Sequence, residues 1–161
     1  MQSNDIELKK QKINIVELVG QLISQFNLLL KSNDMVSRIN FCDEKLFISG
    51  DGEMLSRVFN NIVSNCIKYG RDGKFLDINT YRKDKEAVID VVNYGQEIPS
   101  NELPYIFNRL YRVEKSRSRE TGGSGLGLAI AKEIIEMHNG TIEAFSSSEK
   151  TVFEVKLNLI K

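Results

Sequence analysis

An α+β sandwich, with helices packed on one face of a mixed sheet, is the fold class this sequence predicts. Three observations carry it. Strand-like runs come in pairs instead of alternating singly with helices, which separates it from doubly wound parallel folds. The 161 residues are enough for one hydrophobic core and too few for two. The composition, 41% hydrophobic and 27% charged, is that of an ordinary globular domain.

The elements follow in order. From Ile13 to Lys31 apolar residues recur at helical spacing, and Asn33-Asp34 ends the run. Ser37–Cys42 and Lys45–Ser49 are short strands, followed by a turn at Ser49-Gly-Asp-Gly52 in which Asp51 is placed to cap a helix. Glu53–Tyr69 is a strong helix. Phe75–Tyr81 and Glu86–Val92 form a hairpin about the charged turn Arg82–Lys85. A loop from Asn93 to Ser100 leads to a short helix over Glu102–Tyr111, then to a polar, basic stretch over Arg112–Gly123. A helix runs from about Gly125 to Met137 and stops at Asn139-Gly140. Thr141–Phe145 and Thr151–Leu157 close the domain as a second hairpin. Residues 1–12, polar with Glu7, Lys9, Lys10 and Lys12 close together, read as the remnant of a preceding segment, and residues 13–161 as the domain itself.

Bulk properties exclude several classes. Twenty-two basic and twenty-two acidic residues leave no net field to attract nucleic acid or a membrane surface. No apolar run approaches a membrane span, and the amino terminus has no signal-peptide character. Cys42 and Cys66 lack metal-ligand spacing and read as reduced, packed thiols of a cytoplasmic domain.

Two stretches carry chemistry. In Gly122–Lys132 the glycines Gly123, Gly125 and Gly127 run straight into Leu128-Ala-Ile-Ala-Lys132. Glycine lets backbone approach a ligand, and a helix start presents unpaired N–H groups, so the pair suits a phosphate. The plainer alternative is a turn that opens a helix. It follows a long polar loop and not a strand, which disfavours a dinucleotide-binding fold. On the helix Glu53–Tyr69, Leu55, Val58, Phe59, Ile62 and Cys66 share one side, while Arg57, Asn61, Asn65 and Lys68 form a stripe on the other. For Arg57 or Lys68 alone a solvated face is the better reading. Two asparagines four apart are not the economical choice for such a face. Their amide oxygens suit a Mg²⁺ ion that takes other ligands from nucleotide phosphates, with Lys68 as a counter-charge.

At this point the sequence resembles a family. Arg57–Tyr69 resembles the N box of sensor histidine kinases of the GHKL ATPase superfamily, and Asn93-Tyr-Gly-Gln-Glu-Ile-Pro99 their first glycine box. Ile106–Ser116 resembles the F box and Gly122–Lys132 the second glycine box, all in the family's order. The resemblance implies the Bergerat α/β sandwich and ATP with Mg²⁺ as cofactors. It implies that Asn65 ligates the metal while Asn61 supports it and the phosphates. Lys68 would contact phosphate, Tyr69 would pack on the base, and Asn93 would bond the adenine amino group. Gly95 would let backbone come close, and Ile98 and Arg112 would join the nucleotide contacts. Arg109 would reach the γ-phosphate, residues 112–124 would form the ATP lid, and Gly123, Gly125, Leu126, Gly127 and Leu128 would hold phosphate at the helix start.

The ATP-hydrolysing relatives carry a Glu at the first N-box position as general base. Asn61 stands there in this chain, which favours transfer to another acceptor over hydrolysis. Three departures stand out: Asn93 where Asp is usual, Glu97 at the second glycine of the first box, and Ser148–Thr151 in place of a late Gly-x-Gly. Asn93 offers a donor besides its acceptor, so weaker adenine-over-guanine discrimination is expected than with Asp. The hairpin is expected to survive the last change.

The single histidine, His138, lacks the surroundings of a phosphoacceptor and reads as a helix-end residue interacting with the dipole. The expected function is therefore ATP-dependent phosphorylation of a histidine on a separate dimerisation domain, then of a response regulator. The alternatives are a degenerate nucleotide-sensing or docking module and a serine kinase of the anti-sigma-factor type. Within the family, Leu110–Arg119 and Gly125–Ile135 resemble membrane sensors paired with winged-helix regulators, and the whole resembles glycopeptide-resistance sensors. A homodimer is expected only of the full-length kinase.

Overall fold

The computed structural model describes residues 7–108 and 127–160. β1 (Gln11–Asn14) leads directly into α1 (Ile15–Ser32), where the Asn14 side chain accepts from the Val16 N–H and caps the helix. α1 buries Ile15, Val19, Leu22, Ile23 and Leu30 and stops where Asp34 takes a left-handed φ of 57°. β2 (Val36–Phe41) and β3 (Phe47–Gly50) follow, then α2 (Gly52–Gly70), β4 (Phe75–Lys83), β5 (Glu86–Asn93), α3 (Gly127–Met137), β6 (Thr141–Ser146) and β7 (Thr151–Asn158).

Five strands form one mixed sheet in the order β2-β4-β5-β7-β6, with β2 parallel to β4 and the other neighbours antiparallel. The helices pack on one face of it, as the pairing of strand-like runs predicts. Along β4 the residues Leu76, Ile78 and Thr80 turn inward and are buried, while Phe75, Asp77 and Tyr81 occupy the open face. The turn between β4 and β5 is tighter than the sequence suggests. Lys83 pairs with Glu86, leaving only Asp84 and Lys85 to turn, and Asp84 has a φ of 55°.

Three differences from the expected elements are informative. β3 does not join the main sheet; it pairs with β1 in a separate two-stranded ribbon. That ribbon reaches into the segment read as a linker remnant, since Gln11 pairs with Gly50 and Lys12 with Ser49. Within the expected helix Glu102–Tyr111, the described part is a 3₁₀ turn over Leu103–Tyr105, bonded from Tyr105 to Glu102 and from Ile106 to Leu103. Such i to i+3 bonding brings Leu103 and Ile106 to one side, where Ile106 is buried. Residues 109–111 of that helix lie outside the described residues.

The β6–β7 hairpin is intact without the late glycines, closed by the Ser147 N–H bonding to the Lys150 carbonyl at 2.9 Å. α3 ends as expected: Asn139 has a φ of 60°, and the Gly140 N–H reaches the Ile135 carbonyl at 3.0 Å.

Candidate functional site

α2 positions most of the candidate side chains. Asp51 caps it, its Oδ1 accepting from the Met54 N–H at 3.2 Å. Leu55, Val58, Phe59, Ile62 and Cys66 are buried in the core, as the helical periodicity predicts. On the opposite side Arg57 is exposed, Asn61, Asn65 and Lys68 are half-buried, and Tyr69 is exposed. The stripe faces the start of α3. There the Asn61 Nδ2 donates to the Gly127 carbonyl at 3.0 Å, tying the two helices together, and the amide oxygen has no partner among the described residues. A Cβ on Gly127 would come only within 3.7 Å of Asn61, an ordinary contact that faces this stripe. Leu128 packs half-buried against the core.

Asn65 and Lys68 have no hydrogen-bond or ion-pair partner among the described residues. Being only half-buried, both side chains are open to solvent and are available to a ligand. Two amide oxygens one helical turn apart, a lysine and a helix start together suit a phosphate chain carrying a divalent ion. Among the described residues no group of three His, Cys, Asp or Glu side chains is placed to hold a metal. A cation bound at the asparagines would therefore take its negative ligands from the phosphates, which is the donor set Mg²⁺ accepts.

Asn93 ends β5 beneath the last turn of α2. Its Oδ1 accepts from the Gly95 N–H at 3.1 Å, and its Nδ2 donates to the Cys66 Sγ at 3.4 Å. Burial pushes the Cys66 thiol up to about 12, partly offset by the Asn93 bond, so the sulfur stays neutral. Gly95 has a structural reason that the sequence reading did not contain. A Cβ there would lie 2.4 Å from the Gly70 Cα and 2.5 Å from the Tyr69 carbonyl oxygen, so the loop rests directly on the end of α2. A Cβ on Gly70 would in turn strike Asn93 at 2.6 Å. Ile98 is half-buried, and its N–H donates to the Ser146 Oγ at 2.9 Å, which pairs with the Thr151 Oγ1 at 2.6 Å.

The structure thus brings Asn61, Asn65, Lys68 and Tyr69 onto one helix, with Asn61 meeting Gly127 and with Asn93 and Gly95 at the helix's far end beside Tyr69 and Gly70; Ile98 follows in the loop, bonded to Ser146. Arg109, Arg112, Gly123, Gly125, Leu126 and the lid at 112–124 lie outside the described residues. Cys66, Gly70 and Thr151 are additions. The Asn93–Thr151 juxtaposition comes from β5–β7 register, which no local pattern encodes.

His138 is not a free acceptor. It is buried, its Nε2 accepts from the Asp51 N–H at 3.0 Å, and its Nδ1 donates to the Ile134 carbonyl at 2.8 Å. The expected dipole interaction is thereby sharpened: a neutral ring bridges the ends of two helices.

Residues 50–161 match the family described as "Histidine kinase-, DNA gyrase B-, and HSP90-like ATPase". The chain belongs to this family. The chain is 40% identical to the sensor protein VanS of Enterococcus faecium over 94% of this chain and 39% of that one. It is 34% identical to the sensor histidine kinase WalK of Bacillus subtilis, covering 92% of this chain and 24% of WalK. Those curated relatives are therefore about two and a half to four times as long. The fold matches the catalytic domain of the histidine kinase ThkA with a TM-score of 0.81 at 24% identity, covering 96% and 97% of the two chains. It also matches the histidine kinase AdeS of Acinetobacter baumannii with a TM-score of 0.79 at 18% identity, covering 99% of this chain and 72% of that one. The ATPase-family domain is an ATP-binding one. No helix among the described residues is long and apolar enough to cross a membrane.

Proposed function

We propose that this chain is the Mg-ATP-binding catalytic domain of a two-component sensor histidine kinase, passing the γ-phosphoryl group to a histidine on a separate dimerisation domain. The observation that supports this best is the Asn61–Asn65–Lys68 stripe facing Gly127 at the start of α3. Asn65 would hold Mg²⁺, Asn61 and Lys68 would meet the phosphates, and Tyr69, Asn93 and Ile98 would enclose the base. When bound, the ion supplies charge neutralisation on the β- and γ-phosphates. Arg109 and Arg112, from the segment outside the described residues, are proposed to reach the phosphates, with residues 112–124 as the lid. Gly123, Gly125, Leu126, Gly127 and Leu128 are proposed to lay backbone amides along the phosphate chain.

The same geometry supports transfer over hydrolysis. Asn61 is neutral and its NH₂ is engaged by the Gly127 carbonyl, so the position has no carboxylate with which to activate water. Transfer breaks the bond between the γ-phosphorus and its bridging oxygen, releases ADP, and forms a bond to the unprotonated nitrogen of an imidazole, whose other nitrogen then gives up its proton to a base or to water. The only histidine of the sequence has both ring nitrogens engaged, so the acceptor belongs to another segment. The relatives' names, a sensor protein and a sensor histidine kinase, support a sensor role. From the resemblance carried by Leu110–Arg119 and Gly125–Ile135 we further propose a membrane sensor, a response regulator of winged-helix type as the next phosphate acceptor, and a role in glycopeptide resistance. Residues 1–12 then join the dimerisation domain to the catalytic one.

Incubation with γ-labelled ATP tests this. The chain alone should stay unlabelled, while a detached helical hairpin bearing the acceptor histidine should become labelled when it is added. Label on His138, or none on the hairpin, contradicts the assignment.

A further inference from the structure

Asn93 sits where the resemblance places adenine recognition, and an amide there could face the base with either its oxygen or its NH₂. The two faces select opposite purines: adenine presents an amino donor at its 6-position and guanine an oxo acceptor. An unrestrained Asn93 would serve both, the basis for expecting weak discrimination. The structure restrains it.

The side chain packs against Gly70, where an added Cβ would come within 2.6–2.7 Å of its Cβ, Cγ and Oδ1, so the glycine is what admits it there. Its oxygen accepts from the Gly95 N–H at 3.1 Å, and its NH₂ points into the core at the Cys66 Sγ, 3.4 Å away. Turning the amide over would set its NH₂ against the Gly95 N–H, donor against donor, and would take the NH₂ away from the sulfur. The residue is 5% exposed. A carbonyl oxygen has two lone pairs, of which the Gly95 N–H uses one.

We propose that Cys66 is a positioning residue for base selection: together with the Gly95 N–H it turns the Asn93 donor inward, so that only an acceptor meets the base. The site then selects a purine bearing an amino group at its 6-position over one bearing an oxo group there, behaving as the more usual Asp would, and ATP is preferred over GTP. Burial keeps Cys66 a neutral thiol, a weak acceptor that can hold the NH₂ without charge. The inference rests on the ATP reading above and refines its specificity.

The test is a double-mutant cycle read as the ratio of GTP to ATP dissociation constants, by calorimetry on the chain with Mg²⁺. Cys66→Ala should lower that ratio about tenfold, the worth of one hydrogen bond. A carboxylate has oxygens at both positions and cannot be flipped, so in an Asn93→Asp background Cys66→Ala should leave the ratio unchanged. A general loosening of the core would instead weaken both nucleotides alike in both backgrounds. Cys66→Ser, which restores an acceptor, should recover most of the ratio. An unaltered ratio in Cys66→Ala, or the same drop in both backgrounds, overturns the inference while leaving ATP binding in place. Failure of the native chain to bind either nucleotide overturns the ATP reading, and this inference with it.

Discussion

The two ends of the α2–α3 pair treat their polar groups in opposite ways. At one end Asp51, His138 and the Lys9 backbone satisfy one another: the Asp51 Oδ1 takes the Met54 N–H, its Oδ2 takes the Lys9 N–H at 3.0 Å, and His138 bridges Asp51 to Ile134. The Lys9 bond leads the effects that hold the Asp51 carboxyl below its usual range, against a smaller opposing push from burial. At the other side of the pair, the Asn61 amide oxygen, Asn65 and Lys68 have no partner among the described residues. Both regions are polar and at least half-buried. Only the first is complete. A buried polar group with every partner supplied by the fold supports the fold, whereas half-exposed groups left open beside a helix start are available to a ligand.

Substitutions can break that contrast. Asn65→Ala should weaken Mg-ATP binding by about a hundredfold or more, as expected when a metal ligand is removed, while shifting stability by no more than about 0.5 kcal/mol. Calorimetry paired with urea unfolding reads both quantities. His138→Ala should do the reverse, destabilising by about 3 kcal/mol because it empties buried volume and leaves the Asp51 N–H unpaired, with ATP affinity of the folded protein unchanged.

A second pair sharpens the same point with glycines. Gly95→Ala drives a Cβ to 2.4 Å from backbone, so unfolding should come several kcal/mol more easily. Gly127→Ala meets nothing closer than 3.7 Å among the described residues and should leave the melting temperature in place while reducing ATP affinity. Equal losses of stability in the two variants would remove the distinction between a packing glycine and a phosphate-facing one.

The smallest effects lie on the open face of the sheet, where two aspartates differ in completeness. Burial pushes the Asp77 carboxyl up, but bonds from Arg38 and Tyr94 outweigh it and hold the group below its usual range. Asp90 is pushed up by burial and by Glu154 across the strand pair, and its Oδ1 has no partner in the described structure. The folded state thus binds Asp90's proton more tightly than the unfolded state, so this group's contribution worsens as pH rises from the unfolded value through the raised folded one. Asp77 stabilises above its unfolded value, and that gain disappears as pH falls through its lowered folded one. At pH 7, Asp90→Asn should stabilise and Asp77→Asn destabilise, each by less than about 1 kcal/mol after screening of such partly exposed groups. Urea midpoints at pH 7, pH 4 and about pH 2 check both signs: the Asp90 difference should shrink by pH 4, whereas the Asp77 difference should persist there and shrink only in stronger acid.

Much of this was legible in sequence. The Asp51 cap, the buried and open sides of α2, both hairpins and the Asn139-Gly140 stop follow from local periodicity and turn chemistry, and the structure has them all. The motif order also anticipated the family. The β1–β3 ribbon was not legible, because its partners are some forty residues apart and too short to show a period. The 3₁₀ turn at Leu103–Tyr105 escaped because helical spacing over so few residues does not separate i+3 from i+4 bonding. The roles of Cys66 and Gly70 were hidden as well. Each is set by contact with Asn93, which depends on how α2 lies against the end of β5.

The central claim is that the open asparagines of α2 hold a metal–phosphate pair. The most direct test is ATP affinity with and without Mg²⁺ for the native chain and Asn65→Ala. Mg²⁺ should tighten ATP binding to the native chain and have no such effect on the variant. Equal tightening in both proteins would contradict the account.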